Sequence, residues 1–127
     1  MMNKFLKTLI IDDELLIRKS IGRILKQRGH EVSEAENGNI ALDVWREVKP
    51  DLVLLDFMMP GRNGLEVLRE IEPELKKCVI VMSAYVGQNE HKDFIKLGAS
   101  HFFSKPFDDI FKFIDQVEEI ATEQNKK

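Results

Sequence analysis

At 127 residues, with 43% hydrophobic and 32% charged residues, the chain has the length of one domain with a real core and is short for two. Its net charge of −3 leaves no basic footprint for nucleic acid, and its single cysteine, Cys78, excludes an internal disulfide. No stretch approaches the roughly 18–20 apolar residues of a membrane span, and Met1 to Lys7 is too short and polar for a signal peptide, so a soluble, cytoplasmic protein is expected.

The first apolar run, Lys7 to Ile11, stops on Asp12-Asp13-Glu14. The period then turns helical, with Ile17, Ile21, Ile24 and Leu25 on one face. Gly29 suits the left-handed residue that follows a helix, whereas Gly22, mid-helix, costs about 1 kcal/mol against alanine, and the sequence does not say whether close packing is the reason. Glu31 to Ala35 alternates weakly and reads as a second strand, at an edge. Asn37-Gly38 opens a second helix with Ile40, Ala41, Val44, Trp45 and Val48 as its apolar stripe, and Lys49-Pro50 ends it.

Leu52 to Leu55 is wholly apolar and ends abruptly on Asp56, with a turn built on Pro60, Gly61 and Gly64 just beyond. Such a run, bounded by turn signals, predicts a strand buried on both faces. A helix follows over Leu65 to Glu72, closed by Pro73. Cys78 to Met82 predicts another doubly buried strand, stopping on Ser83-Ala84, and Cys78 itself reads as a buried thiol. A helix over Gln88 to Leu97, a strand over His101 to Ser104 and a last helix over Asp108 to about Thr122 complete the chain. Ile110, Ile114, Val117 and Ala121 face inward on that last helix, and the tail after Thr122 is polar and expected to fray.

Strand and helix therefore alternate five times, which predicts an α/β fold: a parallel sheet with right-handed crossovers and helices on both faces. Periodicity does not choose between the two common doubly wound strand orders. It does place every strand end on one edge. There Asp12, Asp13, Asp56, Ser83 and Lys105 converge. Each alone has an ordinary reading as a cap, a turn residue or a surface charge. Together they are harder to explain by stability. Two carboxylates about 4 Å apart repel by about 4 kcal/mol at an effective dielectric of ~20, against a whole-domain stability of about 5–15 kcal/mol. Oxygen ligands without His or Cys point to a hard divalent cation, and few carboxylates in an open site point to Mg²⁺. A carboxylate beside Mg²⁺ and a lysine is either a plain ligand or a nucleophile toward phosphorus.

These residues resemble the receiver domain of bacterial two-component response regulators. The likeness rests on Ile11-Asp12-Asp13-Glu14, Ala35-Glu36-Asn37-Gly38 with Ala41-Leu42, Pro50 through Pro60 around Asp56, Gly64, Ser83-Ala84, Gly98-Ala99 and Lys105-Pro106-Phe107, and spans about residues 7 to 120. The resemblance implies a single flavodoxin-like (βα)5 domain over 1–127, its core about 7–122, with strand order 2-1-3-4-5. It implies that Asp56 takes a phosphoryl group from a phosphohistidine on a sensor histidine kinase or a histidine phosphotransfer protein. Asp13 and Asp56 would hold Mg²⁺ directly, Asp12 through water, and the Met58 backbone carbonyl would complete the set. Lys105 would pair with the phosphoryl group next to a cis peptide to Pro106. Ser83 and the aromatic Phe102 would be the switch residues that alter affinity for a downstream partner.

Some positions depart from the commonest family choice. Phe102 stands where tyrosine is also common, so its readout would be packing alone. Met58 and Tyr85, two residues after Asp56 and Ser83, do not readily orient an attacking water, which predicts slow self-dephosphorylation. Leu15 or Leu16 is a candidate for docking the kinase, and Phe107 with Phe111 for an apolar output face. No output segment follows residue 122, so the chain is read as a stand-alone receiver, or one cut from a longer regulator, acting as a monomer or weak dimer and not as a turnover enzyme. Two alternatives remain: an aspartate-nucleophile phosphatase, disfavoured by Met58 where a second acid is wanted, and a pseudo-receiver acting as a phosphorylation-independent interaction module.

Overall fold

The computed structural model describes residues 5–84 and 87–126. In chain order the elements are β1 (Lys7–Ile11), α1 (Leu15–Gln27), β2 (Glu31–Ala35), α2 (Gly38–Val48), β3 (Leu52–Asp56), α3 (Gly64–Glu70), β4 (Val79–Ser83), α4 (Gln88–Lys96), β5 (His101–Ser104) and α5 (Ile110–Gln124). All four strand pairings are parallel, in the order β2-β1-β3-β4-β5. This is the flavodoxin-like arrangement. The chain steps outward from β1 to β2, then crosses back over β1 to start β3, so the crevice between β1 and β3 is the point where the winding reverses.

Composition explains which strands are central and which are edges. β3 and β4 are apolar at nearly every position and are buried along their whole length. β2 and β5, with polar residues, are partly exposed edges. Alternate strand residues then build two cores. Leu9, Ile11, Val53, Leu55, Val79 and Val81 face Ala41, Leu42, Trp45, Val67, Leu68 and Phe94 of α2, α3 and α4. Ile10, Leu52, Leu54, Ile80 and Met82 face Ile21, Leu25, Phe113, Ile114 and Val117 of α1 and α5. Cys78, just before β4, is buried in this second core, where burial pushes its thiol pKa up to about 11.

Several local expectations need correction. In α2 the inward residue is Leu42, while Ile40 is exposed, because the helix begins at Gly38 and Asn37 caps it by accepting from the Ile40 N–H at 2.9 Å. Helix α3 ends at Glu70, and Pro73 opens a short 3-10 turn, Pro73–Leu75, instead of closing the helix. Helix α5 begins at Ile110, because the Asp109 carboxylate caps it by accepting from the Phe111 and Lys112 N–H groups. It runs past Thr122 to Gln124, and the Asn125 amide donates to the carbonyls of Asp51 and Ala121. The question left open at Gly22 is answered: packing does not demand glycine there, since a methyl would meet Val32 and Ile10 at ordinary contact distances. Gly29, by contrast, has φ +93°, which ends α1 as expected.

The amino-terminal edge of the sheet is stitched by polar pairs. The Leu6 N–H donates to His30 Nδ1 at 3.0 Å, so Nε2 carries the ring hydrogen and donates to Glu118 at 2.6 Å. Arg28 donates to Glu118 and Asp115, and the Lys7 N–H to Asp51. Among the described residues, Thr8 Oγ1 is the one buried side-chain oxygen or nitrogen without a hydrogen-bond partner.

Candidate functional site

The register sets the site. Ile11 pairs with Leu55, so Asp12 and Asp56, one residue further along each strand, stand level at the carboxyl edge of β1 and β3. Asp56 lies opposite Met82, which puts Ser83 at the adjoining end of β4. Ser83 pairs with Ser104, and the Lys105 N–H donates to the Ser83 carbonyl at 3.0 Å, so Lys105 emerges beside the same edge. The Lys105–Pro106 peptide bond is cis. Asp12, Asp13 and Asp56 each offer a carboxylate oxygen within 4.8 Å of the others.

Asp12 is buried and held on all sides. Its N–H donates to the Ala35 carbonyl, its carbonyl accepts from Arg18 Nη1 at 2.7 Å, Oδ1 accepts from the Glu14 N–H at 2.9 Å, and Oδ2 accepts from Lys105 Nζ at 2.6 Å. Burial nevertheless raises its pKa above the usual carboxylate range, against the lowering effect of Lys105. Asp56 is also buried, but Lys105 Nζ stands 3.4 Å from its Oδ2, beyond the usual 2.7–3.2 Å hydrogen-bond length. Burial first, and the charge of Asp12 second, push the Asp56 pKa up to about 6. Asp13 is exposed at the rim. Lys105 loses stability as an ammonium through burial, but its bonds to Asp12 and Glu14 and the charge of Asp56 more than compensate, and its pKa is raised.

The loop after β3 closes tightly on the site. Gly64 donates its N–H to the Phe57 carbonyl at 2.8 Å, and a Cβ there would run into the Asp56 carbonyl oxygen, so only glycine allows α3 to start so near the acid. Met58 lies in this loop with its side chain exposed. Phe57 turns inward and meets Phe94 edge-on at 5.3 Å between ring centroids. Phe94 in turn meets Phe102 at 5.6 Å, and His91 of α4 lies over Phe102 at 4.1 Å. An aromatic chain thus runs from the residue after Asp56 to Phe102. Tyr85 lies outside the described residues.

The structure therefore brings Asp12, Asp13, Asp56 and Lys105 together, with Ser83 at the neighbouring strand end. Two residues were missed from the sequence. Glu14 places its carboxylate 3.0 Å from Lys105 Nζ. Arg18, also bonded to Glu34, braces the Asp12 backbone. The third acid in a row after a strand was a signal for Glu14; nothing local signals Arg18. Leu15 and Leu16 are both exposed, Leu16 at 80%, and Phe111 is exposed too, whereas Phe107 stacks on Phe113 at 4.0 Å.

The family model described as the response regulator receiver domain matches residues 8–117. The chain belongs to this family and is a receiver domain of two-component signalling. Solved structures agree on the fold. A CheY-like receiver domain protein from Methanospirillum hungatei JF-1 is 24% identical, with a TM-score of 0.85 over 97% of this chain and 98% of that one. The Francisella response regulator 1452 receiver domain is 26% identical, with a TM-score of 0.80 over 94% and 98%. NtrX from Brucella abortus is 28% identical with a TM-score of 0.79, covering 97% of this chain but only 29% of NtrX. Among the described residues no helix is long and apolar enough to cross a membrane.

Proposed function

We propose that this receiver is an active phosphoacceptor and that Asp56 is its nucleophile. The observation that carries the reading is the convergence of Asp12, Asp13 and Asp56 within 4.8 Å beside a single lysine ammonium. Such a cluster is costly to fold and suits a site that handles a cation and a phosphoryl anion. A carboxylate oxygen of Asp56 attacks the phosphorus of a phosphohistidine, the P–N bond breaks, and the imidazole leaves with its electron pair. Lys105 neutralises the phosphoryl oxygens, and the Ser83 hydroxyl donates to one of them.

The donor set fits Mg²⁺: oxygen atoms only, two of the acids buried and one at the rim. Asp13 and Asp56 would hold it directly, Asp12 through water, with the Met58 backbone carbonyl, and the ion would supply positive charge to the phosphoryl oxygens. The donor is a sensor histidine kinase or a histidine phosphotransfer protein, in a cytoplasmic setting, and we take the described residues as one domain. The readout is a shift of Ser83 and Phe102 between two packings, which changes affinity for a downstream protein. Release from Asp56 is slow, because the Met58 thioether does not orient water; a half-life of seconds would refute that part.

The test is intact mass after incubation with acetyl phosphate, with and without Mg²⁺, for the wild type and Asp56→Asn. A single phosphoryl adduct that needs both Mg²⁺ and Asp56 supports the reading. No adduct, with Mg²⁺ still bound, makes the domain a phosphorylation-independent interaction module.

A further inference from the structure

Lys105 does not rest on the proposed nucleophile. Its shortest contacts are Asp12 at 2.6 Å and Glu14 at 3.0 Å, with Asp56 at 3.4 Å. An ammonium has three N–H donors, and two of them are committed before any phosphoryl group arrives. The two holders differ. Asp12 is fully buried and fixed by Arg18 and the Glu14 N–H, so its hold on Lys105 is permanent. The Glu14 side chain is 59% exposed and reaches Lys105 from the N-cap position just before α1, so its hold can be released to water.

We propose that Glu14 is a positioning residue that tethers Lys105 in the unphosphorylated protein, and that Lys105 exchanges Glu14 for a phosphoryl oxygen when Asp56 is modified. The proposal rests on the phosphoacceptor reading of Asp56. The tether stabilises the resting state and is lost in the transition state, so it slows acyl-phosphate formation and is a brake on the domain. The brake is set by reach as well as charge: a carboxylate at position 14 must be long enough to touch Nζ.

The experiment measures the rate of adduct formation from acetyl phosphate at saturating Mg²⁺ by intact mass, for the wild type, Glu14→Gln and Glu14→Asp. Urea melts of Glu14→Gln, Lys105→Met and the double variant, without Mg²⁺ or donor, accompany it. Glu14→Gln is expected to react about two- to fivefold faster, the change that loss of a partly exposed ion pair commands. Glu14→Asp, charged but one methylene shorter, is expected to be accelerated as well, and the two substitutions in the melts to be non-additive. An unchanged or slower Glu14→Gln overturns the proposal. So does acceleration by Gln with Asp at the wild-type rate, which would make Glu14 only a charge that repels the anionic donor, and so do additive melts. A wild type that takes up no phosphoryl group is a separate failure: it defeats the phosphoacceptor reading, whatever the Glu14 variants do.

Discussion

The two ends of one sheet handle their polar and charged side chains in opposite ways. At the amino-terminal edge His30, Glu118, Arg28, Asp115 and Asp51 each find a partner of matching character. At the carboxyl edge Asp12, Glu14 and Asp56 share a single lysine, with the Asp13 carboxylate close by. Both clusters are tied to the strand ends, so the fold does not force either pattern. The first is what a chain does when a polar cluster only has to be stable. The second leaves an acid such as Asp56 uncomfortable as an anion, with its pKa pushed up to about 6, and that discomfort is what a bound cation would relieve.

The contrast can be broken at either end, with effects of opposite sign. The largest is expected for His30→Ala, which orphans the buried Leu6 N–H and removes a partner from Glu118; a urea melt should lose about 2–4 kcal/mol. Asp56→Asn should instead stabilise, by about 2–3 kcal/mol at pH 8 in buffer free of divalent ions. The sign follows from linkage. The unfolded carboxyl ionises near pH 3.8 and the folded one near pH 6, so the folded state binds more protons between them. Stability of the wild type therefore falls as pH rises through that window, and the gain from asparagine should vanish below about pH 4; a gain independent of pH would mean that ionisation is not its source. Thr8→Val sharpens the comparison, since Thr8 Oγ1 is the flaw in the paired end, and should add about 1 kcal/mol in the same melts. The smallest effect is expected for Asp13→Asn, whose acid faces solvent: a rise in melting temperature without Mg²⁺, but less than for Asp56→Asn. An equal rise would mean that Asp13 is as desolvated as its neighbours.

Much of this was legible beforehand. The wholly apolar β3 and β4, each stopping on a polar residue, placed Asp56 and Ser83, and strict alternation put Asp12 and Lys105 on the same edge. The strand order was not written in the periodicity, because both doubly wound arrangements present the same faces to the core; it came only with the resemblance. Glu14 escaped because its role depends on how far a side chain reaches, across 91 positions, to one ammonium. His30 and Glu118 are 88 residues apart, and neither has a local pattern that marks it as anything but a surface residue. The reach of α5 past Thr122 was missed for the same reason: the Asn125 contact to Asp51 spans 74 residues. Ile40 was misassigned because Ile40, Ala41, Val44, Trp45 and Val48 make an apolar stripe nearly as regular as the one that Leu42 joins.

Cys78 turns the whole molecule into its own clock. It is the only thiol in the chain, it is 1% exposed, and its sulfur holds its proton at neutral pH. A thiol reagent can therefore reach it only when the second core opens, and the rate of alkylation counts those openings. Anything that settles in the acidic cluster and stabilises the closed fold should slow that rate, so an unlabelled protein and a single mass shift suffice to titrate occupancy of a site in which Cys78 takes no part.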